Sequence, residues 1–213
     1  LFSQGCKLVI LACNTASAKA LRTIQQQDLP SIDPDKRVLG VIRPTAEIIG
    51  KHSKTDHVGV LGTEGTVQSE SYLMEIEHQF PKLSIFQQAC PMWVPLVENN
   101  EYDNPGADYF VNKYLDLILN QSADIDTLLL ACTHYPLLMP KIRSYLSEDI
   151  SVLSQGPIVA ASLEDYLHRH PEIEEKCSKN SSQRFLTTDT PEQFDEHATT
   201  FFGRKVNSEY VEV

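Results

Sequence analysis

Basic residues are scarce in this sequence, which has 18 Lys and Arg against 29 Asp and Glu and a formal net charge of −11. No Lys- or Arg-rich stretch interrupts this acidic excess. Because proteins hold the phosphate backbones of nucleic acids largely through Lys and Arg, the composition argues against nucleic-acid binding.

Long apolar runs and targeting signals are also absent. The longest runs, Leu8–Cys13 and Leu128–Cys132, fall far short of the roughly 20 residues that a membrane-spanning helix needs, so we expect no membrane segment. No charged region followed by a cleavage site marks a signal peptide. The chain begins at Leu1 rather than Met and enters a strand pattern almost at once, from which we expect that a segment before Leu1 is missing.

The spacings typical of zinc sites are missing as well. Five cysteines are present, but neither Cys-x-x-Cys nor His-x-x-x-His occurs, and structural zinc ligands usually come in such pairs. We therefore predict no metal site. An odd number of cysteines, in a chain long enough to bury its own core, favours free thiols in a reducing cytoplasm.

What the sequence does contain is a regular alternation of strand and helix patterns. Short apolar runs predict strands at 8–12, 37–42, 57–62, 83–89, 127–131, 150–153 and 184–187. Helical periodicity follows them, with Pro30 and Pro34 closing the first helical region, and a last helix that starts at Pro191 and stops at Gly203. Residues 168–183 lack periodicity and are predicted to form a loop. The alternation predicts an α/β fold with parallel sheets, whose ligands bind at the carboxyl ends of the strands.

Two cysteine segments echo each other. Residues 10–15 (Ile-Leu-Ala-Cys-Asn-Thr) and 129–134 (Leu-Leu-Ala-Cys-Thr-His) each end an apolar strand in Ala-Cys, followed by two hydrogen-bonding side chains. The start of the next helix is expected to lower the pKa of each thiol. Either cysteine alone would most simply be a small buried side chain. The repeated context instead predicts that Cys13 and Cys132 face each other from two lobes, whereas Cys6, Cys90 and Cys177 are predicted to lack a strand-end position.

Two facing thiols suit the inversion of a carbon stereocentre. One thiolate removes a proton from one face of the carbon while the opposite thiol returns a proton to the other face, and no cofactor is needed. His134 is a natural proton partner for Cys132. The polar side chains of Asn14, Thr15 and Thr133 can hydrogen-bond the carboxylate or ammonium group of an amino acid.

The same residues carry a resemblance to a known family. Residues 11–17 and 128–138 look like the two signature motifs of the glutamate racemases, within the cofactor-independent aspartate/glutamate racemase superfamily. The similarity continues through the segments 40–42, 62–67, 90–98 and 187–192. It implies two pseudo-symmetric α/β lobes, each a mainly parallel sheet flanked by helices, with the active site in the cleft between them. Residues 1–41 plus 155–213 would form the first lobe and residues 42–154 the second.

The resemblance also implies an activity and the residues that perform it. The enzyme would interconvert L- and D-glutamate without a cofactor in the bacterial cytoplasm, as a homodimer that supplies D-glutamate for peptidoglycan and hence for cell shape. Cys13 would be the base for the D-enantiomer and Cys132 for the L-enantiomer. Four polar residues would contact the substrate: Asn14, Thr15, Thr133 and His134. Three more would support the site: Glu98, which on its own is as readily a solvated carboxylate, Thr63 and Thr66.

Two departures from the family pattern stand out. Ala131 precedes the second cysteine, where the family usually has Gly, and we expect its small methyl group to be tolerated. The Asp-Ser-Gly-x-Gly-Gly and Pro-Tyr-Gly segments with which family members begin are absent from these 213 residues. We therefore expect the 213 residues on their own to be inactive.

Other functions remain open at this point. A racemase of the same superfamily that acts on aspartate or a hydantoin is the nearest alternative. A binding or regulatory protein that has kept the fold would not need both cysteines together with His134. A redox sensor that uses Cys13 and Cys132 would lack a resolving cysteine close in sequence.

Overall fold

The computed structural model describes residues 1–212, which divide into two compact units. The larger unit spans Leu1–Cys177, and the smaller one begins at Ser178. The predicted lobes, 1–41 with 155–213 and 42–154, divide the chain differently and stay a prediction.

The larger unit begins with a two-stranded parallel sheet. Strand β1 (Leu8–Leu11) pairs with β2 (Arg37–Gly40), so that Leu8 lies opposite Arg37 and Leu11 opposite Gly40. The connection between them is mostly helical and contains α1 (Asn14–Lys19), α2 (Leu21–Thr23), a π-helical turn (Ile24–Asp28) and α3 (Leu29–Ile32). The prediction that Pro30 closes the helical region is wrong, because Pro30 lies in the first turn of α3, where its missing N–H costs nothing.

A four-stranded parallel sheet follows and forms the centre of the larger unit. Its strands are β3 (His57–Gly62), β4 (Ser84–Ala89), β5 (Thr127–Ala131) and β6 (Ser151–Ser154). Their order in the sheet is β4-β3-β5-β6, which places β3 and β5 in the middle. Every residue of β5 is buried. A parallel sheet covered on both faces requires such continuous apolar strands, and the predicted α/β class is confirmed.

Helices cover both faces of this sheet. They are α4 (Ile42–Ile49), α5 (Glu64–Gln68), α6 (Ser71–Gln79), α7 (Trp93–Glu98), α8 (Pro105–Leu119), α9 (Met139–Ser144), α10 (Gln155–Arg169) and α11 (Pro171–Glu174). Leu128 packs with Trp93 and Ile118 in one apolar cluster, whereas its neighbour Leu129 packs with Ile49 and Ile76 in another. Because successive side chains of a strand point to opposite faces, β5 joins the two halves of the core.

The smaller unit is built from two strands and one helix. Strand β7 (Phe185–Thr187) pairs in parallel with β8 (Ser208–Tyr210), and α12 (Pro191–Phe202) packs against β8. The predicted start of α12 at Pro191 and its stop at Gly203 are confirmed, and Gly203 has a left-handed φ of 72°. The prediction of a loop over 168–183 is wrong in part, because α10 extends to Arg169 and α11 occupies Pro171–Glu174.

The described chain has neither a membrane-spanning helix nor a metal-binding cluster. Within residues 1–212, no helix is both long and apolar enough to cross a membrane. The same residues contain no group of three or more His, Cys, Asp or Glu side chains arranged to hold a metal ion.

Asp126 ties the start of β5 to the loop that precedes β3. Its Oδ2 atom accepts hydrogen bonds from the backbone N–H groups of Lys54 (2.6 Å) and Thr55 (3.0 Å), and its Oδ1 atom accepts one from the Thr127 hydroxyl (2.9 Å). Burial by itself would raise the pKa of Asp126. The hydrogen bonds, including one from the Ser53 side chain, outweigh burial and lower the pKa to about 2.

We predict that Asp126→Asn lowers the free energy of unfolding by about 1–2 kcal/mol at pH 7, because hydrogen bonds to a charged acceptor are lost. The lowered pKa stabilises the fold only while the carboxylate is ionised. The difference from wild type should therefore be full at pH 7 and shrink as the pH falls from about 4 towards 2. Urea unfolding at pH 7 and pH 3 measures it, with the exposed Asp124→Asn as control. A difference of equal size at both pH values would contradict this account.

Candidate functional site

Cys13 lies just beyond the carboxyl end of β1 and immediately before α1. Its backbone is extended (φ −84°, ψ 128°), and its carbonyl accepts a hydrogen bond from the Ser17 N–H at 2.9 Å. The side chain is exposed. The carboxyl end of the sheet formed by β1 and β2 therefore presents a thiol directly to solvent or to a ligand.

Cys132 directly follows β5 and is only 8% exposed. Burial raises the pKa of its thiol to about 11, against the lowering effect of the backbone N–H groups of His134 and Tyr135. Negative charge on Cys13, and to a smaller extent on Glu98, raises it further. The two predicted cysteines therefore interact electrostatically, and Cys132 is a neutral thiol at pH 7.

The expectation that a helix start lowers the pKa of both thiols is wrong for Cys132. The element that follows β5 is a short 3-10 turn, Tyr135–Leu138, and not a long helix. Desolvation at the end of a fully buried strand outweighs the few backbone N–H groups that this turn offers.

His134 links Cys132 to Glu98. Its Nδ1 atom lies 3.8 Å from the Cys132 sulfur, and its Nε2 atom is in close hydrogen-bonding contact with Glu98 Oε1. Glu98 reaches this position as the last residue of α7. A carboxylate can only accept, so it fixes the proton of a neutral imidazole on Nε2 and leaves the Nδ1 lone pair towards the thiol. The structure thus brings three of the predicted site residues into one acid–base chain.

Three of the predicted threonines form a second group. Thr15 Oγ1 lies 2.8 Å from Thr63 Oγ1 and 3.2 Å from Thr66 Oγ1. Thr63, which follows β3, also caps α5 by accepting the Thr66 N–H. Gly65 permits this approach, since a Cβ atom there would lie 2.9 Å from Thr15 Cγ2. The fourth threonine, Thr133, is exposed beside Cys132.

Asn14, predicted to contact the substrate, is buried, and both ends of its amide have protein partners. Oδ1 accepts from the Tyr72 hydroxyl at 2.6 Å, and Nδ2 donates to Gln155 Oε1 at 2.6 Å. The sequence did not reveal either partner, because Tyr72 and Gln155 lie 58 and 141 residues from Asn14 along the chain. Gln155 could have been found, since it is a polar residue directly after strand β6.

The prediction that Cys90 lacks a strand-end position is wrong. Cys90 immediately follows β4 and is fully buried, and its carbonyl accepts the Tyr135 hydroxyl at 3.2 Å. Burial, with a smaller contribution from the charge of Cys132, raises the pKa of the Cys90 thiol well above its ordinary value. Cys90 therefore stands with Cys132 at the carboxyl edge of the four-stranded sheet, in an environment that keeps the Cys90 thiol unreactive.

Comparisons with known proteins agree on one family. The profile of the Asp/Glu/Hydantoin racemase family matches residues 1–163. A glutamate racemase from Streptococcus suis is 34% identical to this chain, and the match covers 100% of the chain and 77% of that protein. A glutamate racemase isoform from Bacillus anthracis, known from its crystal structure, is 32% identical in sequence to this chain. The two structures superpose with a TM-score of 0.85, over 97% of this chain and 74% of that one. A glutamate racemase from Thermus thermophilus, solved with beta-chloro-D-alanine, is 29% identical with a TM-score of 0.76, over 100% of this chain and 74% of that one.

The different surroundings of the two thiols predict different reactivity. At pH 8, we expect iodoacetamide to alkylate Cys13 about tenfold faster or more than Cys132, because Cys13 is exposed and Cys132 is buried with its thiol protonated. Between pH 8 and pH 10, the Cys132 rate should rise about tenfold per pH unit, because its pKa lies above that range.

Mass spectrometry of peptides from the natively labelled protein measures both rates. Buried Cys90 is the internal control and should stay unmodified while the fold is intact. Equal rates for Cys13 and Cys132 at pH 8 would contradict the assignment.

Proposed function

The chain belongs to the Asp/Glu/Hydantoin racemase family, and on this premise we propose that it interconverts L- and D-glutamate by a two-cysteine acid–base reaction without a cofactor. The relatives described above that carry a specific name are glutamate racemases, which favours glutamate over aspartate or a hydantoin. The observation that carries the mechanism is the pair of strand-end thiols. Cys13 is exposed, Cys132 is buried, and their charges are coupled.

The proton transfers follow from this asymmetry. With D-glutamate, the Cys13 thiolate takes the α-proton, and the electrons of the C–H bond pass to the α-carbon and its carboxylate. The Cys132 thiol then gives its proton to the opposite face of the same carbon. The products are L-glutamate, a Cys13 thiol and a Cys132 thiolate, so protons and charge balance. The raised pKa of Cys132 supports this role, since it holds the thiol in its acid form at neutral pH.

The reverse reaction starts from the Cys13 thiol and the Cys132 thiolate that the forward reaction leaves. When the enzyme instead rests as the Cys13 thiolate and the Cys132 thiol, Cys13 takes a proton from solvent, and the group that can accept the Cys132 proton is His134. Its Nδ1 atom lies 3.8 Å from the sulfur and is oriented as an acceptor by the contact between Nε2 and Glu98. The imidazolium that forms is stabilised by the Glu98 carboxylate. Glu98 is in this scheme a positioning residue, and His134 is the proton carrier.

Substrate binding must depend on local donors. Glutamate is a net anion and the chain carries a net charge of −11, so long-range attraction does not recruit it. The hydroxyl groups of Thr15 and Thr133 and the second N–H of the Asn14 amide, all within two residues of a cysteine, supply uncharged hydrogen bonds. Thr63 and Thr66 support Thr15 from α5.

The biological setting follows from the proposed reaction. We propose a cytoplasmic homodimer that supplies D-glutamate for bacterial peptidoglycan synthesis. The five free cysteines support a reducing compartment.

The test is to replace each proposed base in the protein as its gene encodes it. Cys13→Ser and Cys132→Ser should each lower kcat/KM for both enantiomers by about 100-fold or more, because a serine hydroxyl is a far weaker acid and base than a thiol. Circular dichroism of D- and L-glutamate solutions follows the interconversion. The matched control Cys177→Ser, at a half-buried cysteine away from the strand ends, should stay within about twofold of wild type.

Near-normal turnover in either active-site variant would refute the two-cysteine mechanism. A wild-type protein that racemises aspartate but not glutamate would refute the substrate assignment while leaving the mechanism in place.

A further inference from the structure

Four polar side chains form a buried cluster behind Cys13. They come from four different helices and are between 0% and 8% exposed: Asn14 of α1, Thr45 of α4, Tyr72 of α6 and Gln155 of α10. Only Asn14 has a part in the proposed reaction. The other three need another reason to be polar, since buried polar side chains cost free energy that apolar ones of the same size do not.

Gln155 is the centre of the cluster. Its Nε2 atom donates to Tyr72 Oη (2.5 Å), Thr45 Oγ1 (3.1 Å) and the Val41 carbonyl (3.3 Å). Its Oε1 atom accepts from Asn14 Nδ2 at 2.6 Å. These four contacts, three of which share the two N–H donors of Nε2, therefore hold one amide side chain that links the end of β6 to the start of α1.

The direction of each hydrogen bond is fixed by one group that can only accept. The Val41 carbonyl, which also accepts the Thr45 hydroxyl at 3.0 Å, cannot donate and would repel the amide oxygen of Gln155, so the Nε2 end of Gln155 faces it. Oε1 then faces Asn14, which must present Nδ2, and Asn14 Oδ1 is left to accept the Tyr72 hydroxyl. Tyr72 can donate because burial raises the pKa of its phenol and keeps it protonated. The cluster thus has one consistent arrangement and excludes a flipped Asn14 amide.

We propose that Tyr72 and Gln155 are positioning residues that fix the orientation of Asn14, and with it the turn that carries Cys13 and Thr15. The inference rests on the proposed function, because it assigns this turn to the active site. Asn14 follows Cys13 directly in the chain, so a rotated Asn14 side chain would alter the backbone that aims the thiol. The second N–H of the Asn14 amide is not used within the cluster and is held in one fixed direction.

Tyr72→Phe tests this proposal with the loss of one oxygen atom. Tyr114→Phe is the matched control, because Tyr114 is also buried, its phenol is bonded to the backbone of Met92, and it is not one of the four side chains of the cluster. Urea unfolding should show a similar loss of stability in both variants. Tyr72→Phe alone should lower kcat about tenfold or more, since small misplacements of catalytic groups are costly, while KM changes less than kcat. Gln155→Met, which keeps the side-chain length but removes the amide, should do the same.

Alkylation by iodoacetamide gives a readout that does not depend on turnover. In both Tyr72→Phe and Gln155→Met, the Cys13 rate should differ from wild type by about threefold or more, while Cys132 and Cys90 stay protected and show the fold to be intact. Wild-type kcat together with an unchanged Cys13 rate in both variants would overturn the proposal. If the wild-type protein fails to racemise glutamate, the proposed function falls, and the Cys13 rates alone then decide whether Tyr72 and Gln155 position the turn.

Discussion

The burial of β5 is the constraint on which the rest of the site depends. Its five residues are all buried, and Leu128 and Leu129 anchor the apolar clusters on the two faces of the central sheet. Cys132 directly follows β5 and is buried with it, and the loss of solvent raises the pKa of its thiol to about 11. A thiol so strongly held in its acid form needs a nearby base before it can act as one. His134, oriented by Glu98, stands where such a base is required.

The two similar cysteine segments, residues 10–15 and 129–134, have different chemical environments in the folded chain. β1 is only half-buried and Cys13 beyond it is exposed, whereas Cys132 beyond β5 is enclosed. The hydrogen-bonded cluster of Asn14, Tyr72 and Gln155 lies behind the exposed Cys13 and fixes the turn that carries it. Burial thus holds Cys132 as a thiol beside the His134 imidazole, whereas a hydrogen-bonded turn orients the Cys13 thiol. Unequal thiols suit a reaction in which one begins as base and the other as acid.

Local patterns were enough to predict the strand-end positions of Cys13 and Cys132, because strand periodicity and the polar residues that follow are encoded over a few adjacent residues. The place of His134 beside Cys132 followed for the same reason. The sign of the pKa shift at Cys132 did not follow, because it depends on how much of the chain packs around the sulfur. Tyr72 and Gln155 were missed since their role exists only where α6 and α10 meet α1. The strand-end position of Cys90 was available from the predicted strand 83–89 and was overlooked.

In the proposed reaction, the proton removed from one face of the α-carbon is not the one returned to the other face. Racemisation of L-glutamate by the wild-type protein in deuterium oxide tests this most directly, with the two enantiomers separated by chiral chromatography at early times and each analysed by NMR. Because a thiol that donates from the opposite face has exchanged with solvent, the D-glutamate formed should carry deuterium at the α-carbon while the remaining L-glutamate keeps its proton. D-glutamate that retains the original α-proton, or deuterium that enters L-glutamate as fast as D-glutamate forms, would contradict the two-cysteine account.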